Sequence, residues 1–344
     1  MKKMILSFVA AMIAATATIA QTSLVATLNH DGAISVFNGQ SALANAMAAA
    51  AHGDMITLSS GTFAATDISK AVTLRGTGIA EDETGQYITR VTGNFYLTIP
   101  DDATAALSVE GISFTGTITK KSQKHKNATF SKCKFTTITT SGHTAYPAVG
   151  WRFVNCYITT GIVLSQGTGA SFVNCCVFNP ENHTADSNPS SLEFTNCLVV
   201  SNSTKGFQSS IGFHNSKFYN CFIFKTSTNS ASKALYGSHE AYNCVGYDAL
   251  GTEPIFGNIN KATNTELTAE EYNALFKSGT FYELTEEAQA KYLGNDDREV
   301  GLYGGVLPYS TRIANPQITK CNVARKTTTD GKLSVDIAVK AADE

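Results

Sequence analysis

One phrase recurs along this chain: WRFVNCYIT at 151–159, ASFVNCCVF at 170–178, LEFTNCLVV at 192–200 and SKFYNCFIF at 216–224. Looser copies, TFSKCKF and AYNCVGY, bring the cysteine stations to six: Cys133, Cys156, Cys175, Cys197, Cys221 and Cys244. Continuing the apolar pattern upstream places Gly76, Gly93 and Gly111 at the same station, with gaps of 17 to 24 residues throughout. A unit this short cannot bury an apolar face alone, so the copies must stack and share one core. Leucine-rich repeats need Leu at fixed spacing with a helical return, and propeller blades need about twice the length. Short strands punctuated by Gly, Ser, Thr and Asn predict an all-β chain. The expected fold is a right-handed parallel β-helix of about nine or ten coils, with an N-terminal capping helix and short C-terminal helices.

Stacking decides what the cysteines do. Equivalent residues of adjacent coils lie about 4.8 Å apart and point the same way, whereas a disulfide wants converging Cβ atoms at roughly 3.8 Å. Zinc would want paired ligands such as C-x₂-C, and a nucleophile would be one cysteine singled out, not six equivalents. The cysteines are therefore expected to form a buried thiol ladder. By polarity alone, serine at such a station should cost more than alanine, because its hydroxyl needs a partner. Asn155, Asn174, Asn196, Asn220 and Asn243 read as corner residues in the left-handed region, with amides able to bond one another along the axis.

The first twenty residues have the layout of an export signal: MKK, an apolar stretch, then TATIA, with cleavage expected near Ala20. The chain is accordingly expected in the periplasm or outside the cell, with no membrane insertion. Residues 21–40 have strand character, 41–258 the coil pattern, 259–305 the character of a helical cap and closing coil, and 306–344 that of a linker and hairpin. Ser41 precedes the alanine-rich helix ALANAMAAAA, and His52-Gly53-Asp54 stops it with Gly53 at the C′ position. Thr268 with Glu271 forms a capping box, and Thr285 opens a second helix; both helices are expected to pack on the last coil.

The stretch ALANAMAAAAHGDMITLSSGTF resembles the opening of the pectin-lyase-like superfamily of right-handed parallel β-helices. AVTLRGTGI is similar to a second-coil strand of those proteins, and DREVGLYGG at 297–305 resembles their closing motif. The resemblance covers roughly residues 40–305 and speaks for fold far more than for activity, since lyases, hydrolases, esterases and non-catalytic adhesins share that fold. It implies a substrate groove along one exposed sheet.

Glycoside hydrolysis needs two carboxylates at set spacing, and calcium needs several oxygen ligands. Residues 111–247 hold four acids only, Glu181, Asp186, Glu193 and Glu240, with no two at corresponding positions of adjacent coils. The esterase signature DFIFG is missing too, CFIFK at 221–225 lacking its Asp and Gly. The same window carries eleven Lys and Arg, a net +7 against −9 for the remainder. KKSQKHK at 120–126 is its densest part. Lys120, Lys121, Lys124 and Lys126 are either a solvated turn that protects exposed β structure or an electrostatic footprint for an anionic polymer. His143, Tyr146, Trp151 and Arg152 add aromatic faces and a cation. These eight are the candidate substrate-binding residues; no catalytic residue, metal or cofactor is expected. The function expected is non-catalytic: binding of an extracellular polysaccharide, an acidic one by charge, or a structural, adhesin-like role. The alternative is a polysaccharide lyase acting on an acidic glycan with Lys, Arg, His or Tyr. Nucleic acid is not an expected partner.

Overall fold

In the computed structural model, each Asn-Cys copy of the repeat is a strand, a two-residue corner and a second strand. The structure describes residues 24–80, 88–121, 125–140, 148–165, 169–183, 192–201, 216–226, 239–248, 258–259, 263–311, 313, 317–323 and 335–340. The first twenty residues, read above as an export signal, lie outside them. The corner is made by Asn: φ is +52° at Asn155, +48° at Asn174, +51° at Asn196, +52° at Asn220 and +53° at Asn243. Asn enters this left-handed region more readily than most residues because its short polar side chain bonds locally.

Strands before the corner stack into one parallel ladder that runs from Met55–Leu58 through Arg152–Val154 and Glu240–Tyr242 to Asn258–Ile259. Strands after the corner form a second, including Lys134–Thr140, Tyr157–Ser165, Leu198–Ser201 and Phe222–Lys225. Three of these run on past a register shift into a third face, where Ile112–Lys120 pairs with Phe95–Leu97 and Tyr157–Ser165 with Pro180–His183. The architecture is a parallel β-solenoid.

The Asn-Cys corner recurs in five turns, fewer regular coils than the nine or ten expected, because the upstream copies turn differently. Register explains the difference. Ser131 pairs with Glu110 and Lys134 with Ser113, so Gly111 stands opposite Lys132 and Ile112 opposite Cys133. Gly111 (φ +65°) and Lys132 (φ +51°) are thus corner residues, not thiol-station residues. Gly93 belongs to another part of the coil, since a side chain at Gly116 would meet its carbonyl.

Inside, Phe130, Phe153, Phe172, Phe194 and Phe218 stack with centroids 4.6 to 5.1 Å apart and planes within 13°. Each neighbouring pair adds about 0.5–1.5 kcal/mol beyond its buried area. Beside them run the six ladder cysteines, all buried and free. They are more than filler. The backbone N–H groups of Cys156, Cys175 and Cys197 each donate to the sulfur one coil on, at 3.4 Å. The Cys197 thiol lies 3.3 Å from both the Phe172 and Thr195 carbonyls. Asn264 ends the series by accepting the Cys244 N–H at 2.8 Å. Desolvation pushes the thiols of Cys133, Cys156, Cys197 and Cys244 up, which keeps them protonated and unreactive. Thiol titration of unfolded, unreduced protein should therefore find at least seven free groups, the ladder plus Cys176. Finding disulfides among the six would overturn the stacked register.

At the front, β1 (Val25–His30) and β2 (Ala33–Asn38) form a hairpin whose first strand pairs antiparallel with Met55–Leu58. Helix α1 (Ala42–Ala49) buries Ala42, Leu43, Ala46 and Met47 against this end. Its termini differ from expectation. The Ser41 side chain makes no capping bond, and the chain turns extended at Ala50. The Asp54 carboxylate takes the Ala51 N–H at 2.7 Å and His30 Nδ1 at 2.8 Å. Gly53 (φ +94°) serves the turn beyond the helix.

After the last coil the chain reverses. Helices α2 (Ala269–Asn273) and α3 (Glu286–Lys291) begin with the expected caps, Thr268–Glu271 and Thr285. They do not simply cover the end. Tyr272 of α2 stacks on Tyr247 of the last Asn-Cys coil at 4.3 Å, and the segment then runs back along the outside of the second ladder. Leu275, Leu284, Tyr292 and Leu302 form a second apolar cluster with Cys176, Leu198, Phe222 and Val245. The Asn row holds this strap. Asn220 exchanges bonds with Asn295 at 2.9 and 3.2 Å, and Asn174 Nδ2 donates to the Leu302 and Gly304 carbonyls, both at 2.8 Å. The Asn side chains are stacked as expected, but they do not bond one another; Oδ1 of Asn155, Asn174 and Asn196 has no partner. The strap reaches Ile313, packed on Gly111. A separate antiparallel pair, Gln317–Val323 with Val335–Lys340, closes the described chain. Among the described residues no helix is long and apolar enough to cross a membrane.

Candidate functional site

The described candidate residues scatter rather than converge. Trp151 is 1% exposed and packs on Phe130 at 5.5 Å, so its ring belongs to the core. Lys120, also 1% exposed, occupies the inward row of the third face, where burial lowers its pKa to about 8. The strand alternation that turns Ile118 inward turns Lys120 inward as well. Lys121 lies over the Tyr96 ring, 3.4 Å from its centroid, and Lys126 is exposed. Lys124, His143 and Tyr146 lie outside the described residues. The dense lysine run is therefore not a single surface patch. Of the five that are described, Arg152 alone stands on an open, regular sheet face.

That face is the outer side of the first ladder. Because Phe153, Phe172, Phe194 and Phe218 point inward, the residues flanking each one point outward. One outward row runs Arg152, Ser171, Glu193, Lys217, Glu240, and a parallel row runs Val154, Val173, Thr195, Tyr219, Tyr242. Arg152 and Glu193 are exposed and the others half-buried. At strand spacing the first row spans about 19 Å. Lys217 reaches Glu240 at 3.5 Å, the Tyr242 hydroxyl donates to Glu240 at 3.0 Å, and the Tyr219 and Tyr242 rings stack at 5.3 Å. Glu240 raises the Lys217 pKa by its charge and the Tyr242 pKa by accepting its hydrogen bond. Glu240 thus accepts from an ammonium and a phenol at once, an arrangement suited to holding polar groups in place. Glu193 and Glu240 share the row, but the Lys217 strand stands between them.

These flanking residues could have been found in the sequence. The triplets RFV, EFT, KFY and EAY each place one outward residue on either side of an inward one. The aromatic cluster at 143–152 drew attention instead, through residue type rather than strand phase. Among the described residues no group of three or more His, Cys, Asp or Glu side chains could hold a metal ion. Comparison with protein-family models, curated proteins and solved structures finds no match.

Proposed function

We propose that the chain is exported and binds an extracellular polysaccharide, without turning it over, along the outer face of the first ladder. The observation that carries this reading is the repetition of outward side chains in register, coil after coil. A site rebuilt at each strand suits a polymer better than a single small ligand, and solenoids use such extended surfaces. Hydroxyls, paired charges and the Tyr219–Tyr242 stack supply the donors, acceptors and aromatic surface that sugar rings engage. The mixture of Arg152, Glu193, Lys217 and Glu240 does not favour a polyanion over a neutral chain.

A glycan array with the mature protein, followed by oligomers of increasing length from the best hit, tests this reading. Affinity is expected to rise with oligomer length. Arg152→Ala is expected to weaken the longer oligomers by at least about tenfold, the order of one lost charged hydrogen bond, without lowering thermal stability. Length-independent affinity, or an unchanged Arg152→Ala variant, would place the ligand elsewhere. Release of unsaturated uronate would replace this reading with the lyase one, and an array without hits would leave a structural, adhesin-like role.

A further inference from the structure

The outward row of the second ladder changes character along the solenoid. It reads Ser113, Lys134, Tyr157, then Cys176, Leu198, Phe222, Val245. The apolar part is sealed under the strap. At Tyr157 and Lys134 the row turns polar, and here a cleft of about 400 Å³ opens beside the contact between strap and sheet. Its walls are Phe281, Tyr303 and Tyr309 from the strap, with Ser310 at the rim, facing Tyr157 and Lys134. A gap of this volume is in the range that encloses small ligands.

The lining is specific in what it offers. Phe281 packs edge-on to Tyr157 at 5.0 Å and stacks on Tyr309 at 5.3 Å, which fixes a continuous aromatic wall. The Tyr303 hydroxyl donates to the Phe281 carbonyl at 2.9 Å and holds that wall in place. Lys134 Nζ lies 5.5 Å from the Tyr157 ring centroid, beside the wall. Among the described residues Lys134 is the one cation of the lining, and no carboxylate or amide side chain of theirs contributes to it. Glu283 and Glu299 act on Tyr303 electrostatically but do not line the cleft. A sugar ring, polar on every edge, would find among the described lining residues only the hydroxyls of Tyr157, Tyr303, Tyr309, Ser310 and Thr311, without the paired charges of the first ladder. A flat apolar ring carrying one negative group would find both an aromatic wall and an ammonium.

We propose that this cleft binds a small aryl carboxylate, with the ring against Tyr157, Phe281 and Tyr309 and the carboxylate on Lys134. This site is separate from the open face of the first ladder and does not rest on the polysaccharide reading. Calorimetric titration with 4-hydroxycinnamate, its neutral alcohol and galacturonate tests the proposal. The acid is expected to bind at least tenfold more tightly than the alcohol, and galacturonate more weakly than either. Lys134→Gln, a change at a half-buried surface position, is expected to erase the preference for the acid while leaving the alcohol and the melting temperature unchanged. Phe281→Ala is expected to weaken acid and alcohol together. No binding of the acid, an undiminished preference in Lys134→Gln, or tighter binding of galacturonate would each overturn the proposal.

Discussion

Asn174→Ala is expected to destabilise the chain by about 2.5–6.5 kcal/mol and to free the strap from the solenoid. The Asn174 side chain is fully buried and donates from one amide nitrogen to the Leu302 and Gly304 carbonyls. Its loss leaves the Gly304 carbonyl without a donor, at roughly 1–3 kcal/mol, and takes one of two donors from the Leu302 carbonyl, which keeps the Tyr309 N–H at 2.8 Å, at roughly 0.5–1.5 kcal/mol. Alanine must also adopt φ near +48°, which costs a side-chain-bearing residue about 1–2 kcal/mol. Asn174→Gly removes the second cost and keeps the first, so the difference between the two variants isolates the corner strain. Thermal melts should rank parent, then Gly, then Ala. Limited proteolysis should cut the Ala variant within 294–311 before the coils. A melt within a degree of the parent would mean that the strap is held by its apolar contacts alone.

The strap shows where the sequence was legible and where it was not. The apolar runs CCVF, CLVV and CFIF have no alternation, whereas CKFTT and CYITT keep it. Strands buried on both faces lose their alternation, so those runs announced a second covering layer for the later coils. Which segment supplied it could not be read, because the covering residues are far away in sequence and follow no repeat. The same long-range return redirected the Asn amides. A stacked row of corner amides can bond along the axis or sideways, and only the arrival of Leu302, Gly304 and Asn295 decides between them. The fold class and the thiol ladder were legible because both follow from the period. The upstream register slipped by one residue because Gly111 fills the corner without an Asn to mark it. The candidate site was less legible still. Trp151 and Lys120 were chosen by residue type, but strand phase turns both inward.

The thiol ladder gives a reversal that distinguishes geometry from polarity. Cys197→Ala is expected to cost about 2–4 kcal/mol. The change strips the acceptor from the buried Cys175 N–H, which sits 3.4 Å from the Cys197 sulfur, and an orphaned N–H costs roughly 1–3 kcal/mol. Removing the sulfur forfeits about 1 kcal/mol of apolar burial besides. Cys197→Ser keeps both roles. Its hydroxyl can accept from Cys175 and donate to the Phe172 or Thr195 carbonyl, which stand 3.3 Å from the present sulfur. The smaller oxygen leaves the contacts long, so a loss of about 1 kcal/mol is expected. Polarity alone ranks the two variants the other way, because it treats the station as purely apolar. Denaturant melts of the two variants decide the order. If Ala equals or exceeds Ser in stability, the sulfur-backbone bonds contribute nothing and the cysteines only fill space. If Ser lies between parent and Ala, each thiol links one coil's backbone to the next, and its loss should be felt wherever the station recurs.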